Sequence, residues 1–242
     1  MVSPVARHHE LTRGDRMVKA RQTTRRTASQ DRGRKTQSQI IEGASAVFEE
    51  QEYSAASLED IKEASGVSQG SMYFHFKRKE QIALAIIQEQ HNRIYAGVDP
   101  AIADHADPLI RLMAISKMIC EQLRTDSVVR AGINLALGQG SLREASARSY
   151  ATWVDGVGQL LGKLDRDGML NSDIPVDRLS ASLVSHFTGG NLMSQAMTQR
   201  ADMTDYISTM WRVFINAAIA EAHRERYKAE LDSMFGGFAQ AE

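Results

Sequence analysis

The side chains of this 242-residue chain that stand in a pattern able to do chemistry lie between Ser57 and Glu80. The stretch SLEDIKEASGVSQGSMYFHFKRKE carries hydroxyls at Ser57, Ser68, Ser71 and Tyr73, an amide at Gln69 and an imidazole at His75. Three cations, Lys77, Arg78 and Lys79, follow at once. The chain has no metal-ligand spacing, no paired carboxylates on one apolar face and no nucleophile beside an activating base, so covalent chemistry has nothing to start from. The same residue types suit non-covalent work. Hydroxyls and free helix N–H groups donate to phosphate oxygens, cations neutralise phosphates, and a Gln amide can pair bidentately with an adenine edge.

Two short helices must position these groups. Ser57-x-x-Asp60 is a capping-box pattern that starts a helix, with Ile61 and Ala64 on one side. Gly66 can take the positive φ that ends it, and Val67 packs back beneath. Ser68 is a second N-cap, and residues 69–74 form the next helix, so residues 57–76 read as a helix-turn-helix whose second helix enters a DNA major groove. On that helix Gln69 and Ser71 are placed to reach base edges, and Gly70 lets backbone approach closely. Ser57 and Ser68 are phosphate contacts as well as caps, Tyr73 and His75 reach phosphates, and Phe74 and Phe76 pack the core. Ahead of the motif, Ile40, Ile41, Ala44, Val47 and Phe48 form one face of a helix from Thr36 to about Glu52.

The stretch GVSQGSMYFHFKRKEQI resembles the N-terminal signature of the tetracycline-repressor (TetR) family of bacterial transcription regulators. The match covers residues 34 to about 96. The resemblance implies a three-helix DNA-binding head on residues 34–96, a phosphate-binding role for Lys79, and a homodimer reading a palindromic double-stranded operator. One residue departs from the pattern: many members carry a lysine where Gln69 stands. A basic arm is available to supply the missing cation. Residues 1–35 hold ten Lys/Arg against three acidic residues, about +7, which leaves the remainder near −8. Residues 1–33 lack hydrophobic periodicity and are expected as a disordered arm, with Arg34 and Lys35 near enough to reach DNA.

Residues 97–242 read as a larger helical body, so the fold class is all-α. A long helix beginning at Glu80 links the two parts. Stripes follow at Leu109–Leu123, Val128–Leu137, Tyr150–Leu164, from Pro175 to Met193, and from Asp202 to Ala217. The last two are apolar on more than one face, which suggests a dimer interface. The residues after Tyr227 give a polar tail with no assigned role. QLRTDSVVRAGINLA (122–136), Tyr150-x-x-Trp153 and DIPVDRLSASLVSHFTGG (173–190) resemble the γ-butyrolactone autoregulator receptors of actinobacteria. That resemblance implies a ligand-lining Trp153 and, by likeness to receptors for furan-type hormones, a ligand-lining Tyr150. Read as residues alone, both fit a helical core stripe better than a ligand box. Gln139 is a candidate hydrogen-bonding partner for a lactone or carboxylate. His186 is either a core histidine or a polar group of the pocket, and His91 reads as a surface residue.

Composition bounds the rest. Apolar residues make up 43% and charged residues 24%, as in ordinary globular chains, and no run reaches the ~18–20 apolar residues that span a bilayer. The N-terminus lacks an apolar signal core, so a cytoplasmic location without a membrane partner is expected. The lone Cys120 excludes an internal disulfide and falls on an apolar stripe. The expected function is a dimeric transcriptional repressor, neither an enzyme nor a holder of a metal or cofactor, released from DNA by a butyrolactone- or furan-type signal. Alternatives are a repressor answering an unrelated drug or metabolite, an all-α enzyme, and a ligand-binding protein that has lost DNA binding.

Overall fold

The computed structural model describes the backbone of residues 13–137 and 140–236, with side chains from Gln30 onward. In chain order the helices are α1 (Arg13–Glu50), α2 (Leu58–Ser65), α3 (Gln69–His75), α4 (Lys79–Gly97), α5 (Pro100–Ala103) and α6 (Pro108–Thr125). After them come α7 (Ser127–Ala136), a 3₁₀ turn at Gly140–Leu142, α8 (Arg143–Arg166), α9 (Val176–Thr198), α10 (Met203–Ala218) and α11 (Glu221–Phe235). The β-type pairing among the described residues is a single antiparallel bridge, Leu170 with Ile219. The fold is all-α, as the periodicity requires.

The head forms because each helix contributes one apolar stripe. Ile40, Ile41, Ala44, Val47 and Phe48 of α1 are buried with Ile61 of α2, Met72 of α3 and Ile82, Ala83 and Ile86 of α4. At Gly43 the crossing of α1 and α2 is close: a Cβ there would lie 2.5 Å from the Ser65 backbone, so only glycine fits without a shift. The expected disordered arm differs from what is found. Residues 13–33 continue α1 as helix, although the helix as a whole has little apolar stripe. The packed half from Ile40 onward supplies the nucleus, and helix formers such as Ala, Arg, Lys and Gln propagate from it at small cost.

The head's core continues past residue 97. Val128, Ala131 and Leu135 of α7, with Leu142 of the 3₁₀ turn, are buried in the same cluster as the head residues. Helix α7 lies between α1 and α4 and approaches α4 so closely that a Cβ on Gly132 would stand 2.3 Å from Gln90 Cβ. Ion pairs fix this seating. Arg93 of α4 reaches Glu42 of α1, Glu89 one turn back, and both oxygens of Asp126 at 2.9 and 3.0 Å. Asp126 also caps α7, accepting from Val128 N at 2.9 Å and Val129 N at 3.2 Å. Arg130 pairs with Glu49 of α1. Burial works against the Arg93 charge, but bonds to Glu42 and Asp126 outweigh it and raise its pKa.

The second core belongs to the body, where α6, α8, α9, α10 and α11 meet around residues such as Leu109, Met113, Leu161, Ile207 and Tyr227. Cys120 is buried there, and burial pushes its thiol up to about 12. Helix α11 takes the place of the expected polar tail. It buries only Tyr227 and Leu231, one turn apart, so no periodic stripe announces it. A carboxylate ties it down instead. Asp107 caps α6 through Leu109 N (3.0 Å) and Ile110 N (3.3 Å), and its second oxygen accepts from Tyr227 Oη and Arg226 Nη2, both at 2.9 Å. Replacing Asp107 by Ala removes the acceptor of all four bonds, leaving Tyr227 Oη only Met169 Sδ at 3.3 Å, and should cost about 2–3 kcal/mol in urea unfolding. A loss under about 0.5 kcal/mol would show that apolar packing alone seats α11.

Candidate functional site

The reading helix is held from below and open above. Met72 and Phe76, one turn apart, are 1% and 6% exposed and anchor α3 in the head's core. Ser68 caps the helix, its Oγ accepting from Ser71 N at 3.2 Å and donating to Ser71 Oγ at 3.0 Å. Gln69 and Gly70 are exposed, Ser71 is partly so, and nothing lies within 4 Å of where a Gly70 Cβ would stand. The companion cap has the reciprocal geometry its sequence announces: Ser57 Oγ accepts from Asp60 N at 3.1 Å, and Ser57 N donates to Asp60 Oδ2 at 2.8 Å. Gly66 ends α2 with φ of 64°.

Tyr73 is exposed on α3, and His75 is half-buried on the same helix. A Cβ on Gly33 would be 4.0 Å from His75 Cε1, so this stretch of α1 lies beside α3. Arg34 and Lys35, the next two residues of α1, are both exposed. Two of the expectations change. Phe74 does not pack the core: it is 79% exposed and lies edge-on to His75, with ring centroids 5.2 Å apart. Core positions on α3 repeat every fourth residue, so Met72 takes the place given to Phe74, and Phe76 keeps its own. Lys79 is the second. Its ammonium donates to the carbonyls of Tyr53 (2.5 Å), Ser54 (3.3 Å) and Ala56 (2.5 Å) and stands 4.7 Å above the Tyr53 ring. An ammonium has three donors. All are engaged in joining the start of α4 to the α1–α2 connection, and the side chain faces inward.

The first residues of α4 have no side-chain cap, and the helix then runs from the reader to a cavity in the body. That cavity, about 120 Å³, lies among α4, α6, α7, α8, α9 and α10. Trp153 and Tyr150 of α8 both line it. Trp153 stacks on two rings of α4, His91 at 5.4 Å and Tyr95 at 6.5 Å between centroids, with interplanar angles of 25° and 7°. His91 is thus half-buried, contrary to its reading as a surface residue. Its Nδ1 lies 2.8 Å from the Ile87 carbonyl, which can only accept, so Nδ1 carries a proton, and Nε2 lies 3.3 Å from Ser149 Oγ. Burial raises the Tyr150 phenol, partly offset by a hydrogen bond with Thr188.

His186 falls outside the site. It is exposed on α9, because the cavity-facing positions of that helix are Leu183, Val184, Phe187, Thr188 and Asn191. Gln139 lies outside the described residues. Two lining residues that sequence reading missed are Gln90 and Asn191, both 1% exposed. A signal for Gln90 existed: Ile82, Ile86, Gln90 and Ile94 recur every four residues, so a polar side chain interrupts a buried stripe. Among the described residues no group of three or more His, Cys, Asp or Glu side chains could hold a metal. No helix among them is long and apolar enough to cross a membrane.

A capped two-helix reader at one end, an apolar cavity at the other and one helix joining them define the class of helix-turn-helix proteins with a sensing body. The chain belongs to the tetR family of bacterial regulatory proteins, whose model matches residues 40–86, and a model of the tetracyclin repressor-like C-terminal domain matches residues 107–220. Among its relatives is the transcriptional repressor AcnR of Corynebacterium glutamicum, 31% identical across 67% of this chain and 83% of that protein. The A-factor receptor protein of Streptomyces griseus is 29% identical across 76% of this chain, and the chain spans 64% of that relative's length. A solved γ-butyrolactone receptor (ArpA-like protein) has the same fold, with a TM-score of 0.69 over 84% of this chain and 97% of that one, at 23% identity. These relatives are regulators or receptors rather than enzymes.

The Lys79 geometry makes a prediction that separates anchoring from phosphate binding. Lys79→Met should destabilise the protein by about 1–3 kcal/mol in thermal or urea unfolding, because three carbonyls lose a donor. The salt dependence of DNA binding should keep its slope. A slope reduced by about one phosphate's worth, with stability unchanged, would return Lys79 to the DNA.

Proposed function

We propose that the protein is a dimeric, sequence-specific DNA-binding repressor, released from a palindromic operator by a small, mainly apolar signal of γ-butyrolactone type. The observation that carries this is the outer face of α3, open along Gln69, Gly70, Ser71 and Tyr73 while Met72 and Phe76 lock the helix from within. A rigid helix presenting small and hydrogen-bonding groups fits a major groove. The starts of α3, at Ser68, and of α4 offer N–H groups to phosphates, with Arg34, Lys35 and His75 beside them, whereas the Ser57 N–H is already given to Asp60.

Dimer formation is supported by α9 and α10. Leu192 (45%), Met193 (52%) and Met197 (70%) on α9 and Val213 (52%) on α10 are exposed. Large apolar side chains left open on adjacent helices mark an interaction surface. The signal type is supported by the Tyr150–Trp153 pair lining an apolar cavity and by the likeness to a relative named as the A-factor receptor. The signal acts by differential affinity: it must favour the arrangement that does not bind DNA. Trp153 is well placed for that, because it touches both the cavity and α4.

A mobility shift with DNA from upstream of the gene should give a salt-sensitive complex of two subunits per site. Gln69→Ala should weaken operator binding by about 1–3 kcal/mol and non-specific binding little. No complex at low salt would end the repressor reading. Trp153→Ala should leave operator binding intact while raising the signal concentration needed for release more than about tenfold, the effect of losing about 1.4 kcal/mol of ligand contact. Unchanged release would place the signal elsewhere.

A further inference from the structure

The cavity holds two polar side chains that the rest of the protein does not satisfy. Gln90 of α4 is buried, lines the cavity, and has no hydrogen-bond partner for either Nε2 or Oε1 among the described residues. Asn191 of α9 is equally buried and lacks a partner for Nδ2. Leaving an amide buried and unpaired is costly, so two in one apolar cavity are a standing demand for a partner.

The direction of one amide is fixed from behind. Arg200, 5% exposed, donates from Nε to Asn191 Oδ1 at 2.9 Å and from Nη2 to Asn134 Oδ1 at 3.3 Å. An amide flip would turn the Asn191 NH₂ group against the guanidinium, so Oδ1 stays on Arg200 and Nδ2 is presented as a donor. Arg200 itself does not line the cavity. Gln90, with both amide atoms open, can donate and accept. No Lys, Arg, His, Asp or Glu is among the lining residues. A ligand anion would therefore be desolvated without a cation against it, whereas a carbonyl oxygen would meet donors that already lack acceptors.

We propose that Gln90 and Asn191 form the polar pole of the signal site, and that they select an uncharged ligand through a carbonyl-type acceptor, with Gln90 making the contact on α4. This rests on the proposal that the cavity is the signal site. It adds to it the residues that read the ligand's polar group and the charge state accepted. It also gives the ligand a direct hold on the helix that starts beside the reader, separate from the ring stack at Trp153.

The chain's two tryptophans, Trp153 and Trp211, both line the cavity, so intrinsic fluorescence reports its occupancy. The full-length protein is titrated near neutral pH with γ-undecalactone and with the sodium salt of its ring-opened hydroxy acid. The same titrations are run on Gln90→Met, which keeps the linear side chain beside Gly132 and removes both polar atoms. Wild type should bind the lactone at least tenfold more tightly than the hydroxy acid. Gln90→Met should bind the lactone about tenfold more weakly, the loss of one buried hydrogen bond. Its ligand-free melting temperature should be equal or higher, since an unsatisfied amide has gone, and a far-ultraviolet circular dichroism spectrum matching wild type confirms that the variant is folded. Equal lactone affinity in wild type and Gln90→Met overturns the proposal and leaves the signal-site reading standing. Hydroxy acid binding as tight as lactone overturns the selection of uncharged ligand. No fluorescence change in wild type with either probe at millimolar concentration overturns the lactone-type signal site together with this inference.

Discussion

The seating of α7 between α1 and α4 is the constraint on which the rest depends. A head made of α1–α4 alone would leave the buried faces of Ile86 and Phe48 without the Val128, Ala131 and Leu135 that share their cluster. Gly132 permits the approach, since any side chain there would strike Gln90. Arg93 and Arg130 then hold α7 against both neighbours through Glu42, Asp126 and Glu49. Such pairs contribute modestly to stability when half exposed. Their geometric effect is larger, because they link three helices in one register.

That arrangement places two devices on α4. At its start the Lys79 ammonium gathers carbonyls from the α1–α2 connection, so the helix cannot shift without disturbing the reader. Further along, His91 and Tyr95 stack on Trp153, and Gln90 reaches the cavity. Reader and cavity are thus two ends of one rigid element, with α7 bracing it between them. A packed arrangement of this kind responds by switching between discrete positions rather than by bending.

Much of this was legible in the residues. Ser57-x-x-Asp60, Gly66 and Ser68 state their own geometry, because caps and αL glycines act locally, and the apolar stripes gave the helices that meet in the two cores. What was not legible depends on long-range partners. Phe74 and Phe76 look alike in sequence, and only the helix phase set by Met72 decides which one is buried. The family resemblance implies a phosphate contact for Lys79, and nothing in the residues announces the three carbonyls of residues 53–56 that surround its ammonium. Helix α11 carries just two buried residues, so its position depends on polar ties to distant residues, Asp107 and Lys117 more than a hundred residues earlier and Arg212 on α10. His186 was misplaced because one step along a helix turns a side chain by about 100°.

Because both tryptophans lie in the body cavity, thermal unfolding followed at once by tryptophan fluorescence and far-ultraviolet circular dichroism tests the bracing by α7 most directly. If α7 completes the core of the head, the two signals change in one coincident transition. A loss of helical signal equivalent to α1–α4 at a lower temperature, with the tryptophan environment still intact, would show that the head folds and moves independently of the body, and would contradict the account.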